Sequence, residues 1–180
     1  IVPGSLRALA LPNIYPALSA HVVHPSLAVA PAGSFGGYRY WLAWTPYPDA
    51  NSDFENPCVA ASNDLTTWVQ PTTNPLAPKP TGGYNADTHL FWSADGLTLH
   101  MAYRERIIGG QNRVMVRSTT DGSNWTAAQA IISGTQGSQD FGSPSIWWNG
   151  SGWTMISHNL DASSPWPVQR TVSTGADLFG

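Results

Sequence analysis

Three short apolar runs share one layout: His24-Pro25-Ser26-Leu27-Ala28-Val29, Asp87-Thr88-His89-Leu90-Phe91-Trp92 and Ser143-Pro144-Ser145-Ile146-Trp147-Trp148. Bounded by turn residues and too short for a buried helix, each reads as a strand. A tight turn follows each run, at Gly33 to Gly37, Ser93 to Gly96 and Asn149 to Gly152, where Gly and Asn accept the positive φ of a hairpin. Beyond the turns come alternating aromatic strands, Tyr38 to Trp44, Leu97 to Tyr103 and Trp153 to His158, and then third strands at Cys58 to Ser62, Arg113 to Ser118 and Val168 to Ser173. No segment sustains an apolar period of 3.6 residues, so no long helix is predicted.

Equivalent positions recur at roughly 55 to 65 residues, the period of a propeller blade rather than of a helical repeat. The predicted fold class is therefore all-β, a β-propeller of which about three four-stranded blades are present. Residues 1–20 read as a lead-in segment and 21–180 as the propeller part, with blades at about 21–83, 84–139 and 140–180. The Pro- and Thr-rich stretch Pro71 to Gly83 is a loop inside this domain, because the repeat continues across it. Three blades do not close a circle, and Asp177-Leu178-Phe179-Gly180 stops inside a turn where a Trp and a fourth strand are due. The expectation is a piece of a larger propeller, or a sheet completed by neighbours in an oligomer.

Turns rich in Ser, Thr and Asp end the third strands: Ser62-Asn63-Asp64-Leu65-Thr66-Thr67-Trp68, Ser118 to Trp125, and Ser173 to Phe179. They resemble the Asp-box of sialidase-like propellers. The strand Asp87-Thr88-His89-Leu90-Phe91 with its Asp-Gly turn, and the ending Ser173 to Gly180, resemble the five-bladed propeller glycosidases of family 43 and their relatives in families 32 and 68. Glu55-Asn56-Pro57, Asn74-Pro75 and Tyr84-Asn85-Ala86-Asp87 are similar to propeller domains of bacteriophage tail and appendage proteins. The glycosidase resemblance implies three channel-facing carboxylates: a base, an orienting Asp and an acid. Here the base position holds His24, the orienting position holds Asp87, and the acid position falls on Gly142. Without base and acid the resemblance implies binding without turnover, and no catalytic residue is assigned.

Composition narrows the partners. The net charge is −3 and Lys79 is the only lysine, so no basic stripe exists for nucleic acid. The single Cys58 excludes an intrachain disulfide and a cysteine-rich metal site. The apolar runs are too short to cross a bilayer as helices. No cofactor and no metal are expected.

Carboxylates, amides and aromatic rings collect on one predicted rim, the mixture that sugar recognition uses. The candidate ligand-binding residues are Asp87, His24, His89, Glu55, Arg104, Glu105, Asp140, His158 and Trp166, with Trp44 as a further stacking platform. Competing readings stand beside them: a buried Asp87 bonded to loop backbone, Arg104 and Glu105 paired with each other or a neighbouring blade, and His24 and His89 as core histidines. Asp64, Asp95, Asp121 and Asp177 read as turn formers. The implied function is a carbohydrate- or receptor-binding module in a virion or extracellular setting, with virion proteins or further copies as other partners. An active glycosidase using Asp87 with Glu55, Glu105 or Asp140, and a purely structural virion protein, are the alternatives.

Overall fold

The computed structural model describes residues 8–135, 137–162, 165–173, 175 and 177–179. It is all-β, with two single-turn 3-10 helices at Pro48–Ala50 and Ser52–Phe54. The strands are β1 (Val22–Val29), β2 (Tyr40–Pro46), β3 (Cys58–Ser62), β4 (Gly83–Trp92), β5 (Leu99–Ile107), β6 (Gln111–Thr119), β7 (Gln129–Thr135), β8 (Gly142–Trp148), β9 (Trp153–His158) and β10 (Val168–Val172). They form three antiparallel sheets, β1-β2-β3, β4-β5-β6-β7 and β8-β9-β10, the three blades.

Among the described residues only the middle blade has the expected four strands. In the first, the fourth strand shrinks to one bridge between Ala61 and Val69. Pro71, Pro75, Pro78 and Pro80 follow, and residues without an N–H cannot extend a ladder. The third blade shows three strands among the described residues. Its closing turn falls partly outside them, at residues 174, 176 and 180.

Apolar layers between sheets hold the blades together. Ala28, Trp41, Ala43, Val59 and Ala61 meet Leu90, Leu99, Met101 and Tyr103 between the first two blades. Phe91, Ala102, Val114, Val116, Phe141, Ile146, Trp153 and Met155 fill the layer between the second and third. The middle sheet is thus covered on both faces, and β5 is buried continuously from Leu99 to Arg104. In β10 exposed and half-buried residues alternate instead. The other face of the first blade, with Leu42, Trp44, Cys58, Ala60 and Trp68, is covered by Leu11 and Ile14 of the lead-in. This overturns the reading of Trp44 as a stacking platform, because its ring is fully buried in that layer.

The Asp-box-like turns are built alike. Asp64 Oδ1 accepts from the backbone N–H groups of Thr66 and Thr67, and Asp121 Oδ1 from those of Ser123 and Asn124. Ser62 Oγ accepts from the N–H of Leu65, and Thr119 Oγ1 from that of Gly122. Thr119, not Ser118, is therefore the structural counterpart of Ser62. These bonds hold the Asp64 and Asp121 carboxyls well below the usual carboxylate range.

Candidate functional site

The innermost strand of each blade carries the same irregularity. Register shifts fall between Val23 and Ser26 in β1, between Ala86 and His89 in β4, and between Gly142 and Ser145 in β8. At each, one non-glycine residue takes a positive φ: His24 at 54°, Asp87 at 57° and Ser143 at 49°. A bulge re-aims a side chain, and a left-handed residue with a Cβ costs about 1–2 kcal/mol. Three equivalent strained positions facing one channel are a pattern found at functional sites. Ser143 is the counterpart of His24 and Asp87, whereas Gly142 lies in the ladder opposite His158, with Leu160 filling the place of a Cβ.

These residues line a rim cavity of about 510 Å³ together with Tyr47, Ser52, Glu55, Tyr84, Arg104 and Leu160. A second cavity of about 240 Å³ continues along the bulges past Ser26, Thr88 and His89. The loop after β2 brings in Glu55. Its two 3-10 turns are tied by the N–H of Glu55 to Ser52 O, and by Asn85 Nδ2 of β4 to Asn56 Oδ1.

One imidazole bridges two carboxylates. His24 Nε2 lies 2.9 Å from Asp87 Oδ1, and Nδ1 lies 3.4 Å from Glu55 Oε1 and 3.1 Å from Thr45 Oγ1. Asp87 Oδ2 accepts from the Ser143 N–H at 3.1 Å and lies 3.9 Å from Arg104 Nη1. The Arg104 guanidinium also sits over the Tyr84 ring, 5.5 Å from its centroid. Burial opposes ionisation of Asp87, but the hydrogen bond and charge of His24 and the Ser143 N–H outweigh it, so the carboxyl titrates below its ordinary range. Burial also opposes the charge on His24, yet Asp87 and then Glu55 raise its pKa above the usual histidine value. Glu55 is pushed up to about 7, by burial first and then by Asp87, against the lowering effect of His24 and Arg104. Close to neutral pH the cavity therefore holds an ionised Asp87 beside a half-protonated Glu55.

Of the residues singled out in the sequence, His24, Glu55, Asp87 and Arg104 share this cavity. His89 lines the inner cavity, but its ring is engaged, with Nε2 3.0 Å from Ile146 O and a face stacked on Phe91. Burial lowers its pKa. Asp140 has no exposed surface and lies behind Arg104, which it binds through Nε at 2.8 Å and through Nη2, while Arg106 Nη1 adds a third contact. Glu105 points to the other side of the blade, because consecutive strand residues alternate, and pairs with Arg113 across the β5–β6 ladder. Arg104 and Glu105 thus each have a different partner. His158 ends β9, and Trp166 lies exposed between β9 and β10; neither lines the cavity. Among the described residues no group of three or more His, Cys, Asp or Glu is arranged to hold a metal ion.

Tyr47, Ser52, Ser143 and Leu160 belong to the cavity and were not among the candidates. For Ser143 a signal existed, since the three apolar runs align it with His24 and Asp87.

A curated protein named A type blood N-acetyl-alpha-D-galactosamine deacetylase, from Flavonifractor plautii, is 34% identical over 111 residues, 58% of this chain and 14% of that protein. The crystal structure of an N-acetylgalactosamine deacetylase from F. plautii, in complex with blood group B trisaccharide, superposes with a TM-score of 0.76 at 22% identity. That superposition covers 86% of this chain and 51% of the other. An α-L-arabinanase of Penicillium chrysogenum complexed with arabinobiose gives a TM-score of 0.64 at 14% identity, over 87% of this chain and 47% of the other. No family model matches. The fold is that of the glycosidase-like propellers. The chain spans about half the length of these solved structures and a small part of the curated relative.

Proposed function

We propose that the cavity formed by His24, Glu55, Asp87 and Arg104 binds a saccharide without cleaving it. One observation carries this reading: three blades and the loop after β2 converge on one cavity of about 510 Å³ with planar polar groups and two tyrosine rings in its wall. Carboxylates and a guanidinium hold hydroxyl groups, and rings cover the apolar face of a sugar. The sugar ligands named for the deacetylase and arabinanase structures support the same class of ligand. The setting that goes with this reading is the outside of a cell or a virion appendage, where glycans are displayed.

A glycan array followed by calorimetry, with hydrolysis assays on the same sugars, tests it. The expected result is binding lost on Asp87→Ala, with no sugar or acetate released. An Asp87→Ala protein that binds as well as the unchanged chain would overturn the assignment of the cavity.

A second reading, hydrolysis, is favoured by the protonation states. Glu55, with a pKa of about 7, can donate a proton while Asp87 stays ionised, the separation of roles that acid–base catalysis needs. Release of product that disappears on Glu55→Gln would decide for it.

A further inference from the structure

The two junctions between blades differ at one equivalent position. Trp41 stands opposite Ala28 and Ala61 in the ladders of the first blade, and His100 stands opposite Phe91 and Ser118 in those of the second. They are counterparts, each facing the following blade. At the first junction Trp41 fills the space: a Cβ on Gly122 would lie 2.2 Å from its ring, and Phe35 of the hairpin packs edge-on against it at 5.6 Å between centroids. At the second junction the hairpin is short, residues 93–98 between β4 and β5 against 30–39 between β1 and β2, and it carries no aromatic ring. A cavity of about 400 Å³ is left open there, bordered by Asp95, His100, Trp153, Asp177 and Phe179. That volume falls in the range of small-ligand pockets, about 300–1,000 Å³.

His100 is only 7% exposed, with its ring packed against Phe91 and Trp153 at 5.0 and 6.1 Å between centroids. Nδ1 lies 2.7 Å from Ser118 Oγ, a hydroxyl where the first blade has the methyl group of Ala61. Nε2 has no hydrogen-bond partner among the described residues, yet it is not sealed in the protein, so it opens onto the cavity. Burial pushes the pKa down to about 4, against the raising effect of Asp95, and the ring stays neutral near pH 7. The nearby carboxylates are tied to their own turns through Oδ1: Asp95 accepts from the Leu97 N–H and the Ser93 hydroxyl, and Asp177 from the Phe179 N–H. Their Oδ2 atoms are left to accept from a ligand.

We propose that this cavity is a second saccharide site, in which His100 Nε2 bonds a hydroxyl group of a neutral sugar, Asp95 and Asp177 accept from neighbouring hydroxyls, and the exposed Phe179 ring covers the sugar's apolar face. No arginine or lysine borders the cavity, so an acidic sugar would meet two carboxylates and no cation. The site lies at the hairpin end of the blades, away from the loop that carries Glu55, because the two connections of an antiparallel strand leave from opposite ends. Neither site needs the other, and together they would let one chain engage two sugar residues at once.

The experiment is an NMR titration of the 180-residue chain, labelled at histidine and phenylalanine, with the methyl glycosides of glucose, galactose and mannose, and with glucuronic acid and arginine as the acidic and cationic controls. At least one neutral glycoside should shift the His100 Nε2 and Phe179 ring resonances saturably, and should do so equally in the Asp87→Ala protein, whose other site is disabled. His100→Trp, which installs the residue of the first junction, should abolish the Phe179 response and leave the response of His24 in place. Ser118→Ala, which removes the partner of Nδ1, should weaken binding about threefold. Should His100→Trp not fold, the titrations of the Asp87→Ala and Ser118→Ala proteins still decide. A His100 response that disappears in Asp87→Ala overturns the second site, as does a response to arginine or glucuronic acid without one to any neutral glycoside. No response of His100 to any probe overturns it as well, whatever His24 shows, so the saccharide reading of the first cavity stands or falls separately.

Discussion

Leu65 and Gly122 occupy the same place in two Asp-box-like turns, each donating its N–H to the hydroxyl that opens the turn. Both take a left-handed backbone, with φ of 62° and 81°. Only glycine does so without cost, and the Leu65 side chain is exposed enough to recover little through packing. Leu65→Gly is expected to stabilise the protein by about 1 kcal/mol, read as a higher thermal midpoint. The reverse change, Gly122→Leu, should be severe, since a Cβ there would lie 2.2 Å from the Trp41 ring. His24, Asp87 and Ser143 carry the same kind of backbone strain without a glycine to relieve it, and their side chains face a cavity. Strain in a turn is a tolerated imperfection; strain repeated at three equivalent bulges is better explained by where it aims the side chains.

β5 shows how an element divides its labour. Its alternate residues Leu99, Met101 and Tyr103 face the first blade, while Ala102, Arg104 and Arg106 face the third. Asp140, just before β8, is the anion that makes the burial of both arginines tolerable, and its removal would leave two guanidinium groups without their main partner. Asp140→Ala should therefore destabilise the fold by about 3–5 kcal/mol in denaturant unfolding. Arg113→Ala, which breaks the more exposed pair with Glu105, should cost no more than about 1 kcal/mol. A comparable loss from the two variants would show that the inter-blade network does not hold the sheets together. The alternation that separates Arg104 from Glu105 could be read from the chain. That Arg104 reaches across to Asp140 could not, because it depends on how two sheets face each other.

For the whole molecule, the cavity leaves a signature in pH dependence. Glu55 has a raised pKa in the folded state, so the native protein binds more protons than the unfolded chain between the ordinary glutamate value and about 7. Stability falls as pH rises through that window. Asp87 has the opposite shift, and its contribution is present above the ordinary aspartate range and lost as pH falls through its lowered value. Glu55→Gln is therefore expected to raise the thermal midpoint at pH 8 relative to pH 5 when each is compared with the unchanged protein. Identical pH profiles for the two proteins would mean that Glu55 is not held in the environment described.

The blade pattern was legible because it rests on local chemistry: period-two strands, glycine and asparagine in hairpins, and hydroxyl and aspartate side chains that bond their own turns. These features determined the all-β class, the three repeats and the position of Asp87 on an innermost strand. The tertiary structure decided which polar residues meet. Glu55, on a loop some thirty residues from Asp87 in the chain, reaches the same imidazole, while Glu105, beside Arg104 in sequence, faces away. It also decided that Trp44 is buried and that His24, Asp87 and Ser143 each take a left-handed backbone. Local sequence sets how each strand alternates and turns, but the contents of the cavity follow from the packing of blades and the left-handed kinks that aim side chains into the channel, which bring together residues far apart in the chain.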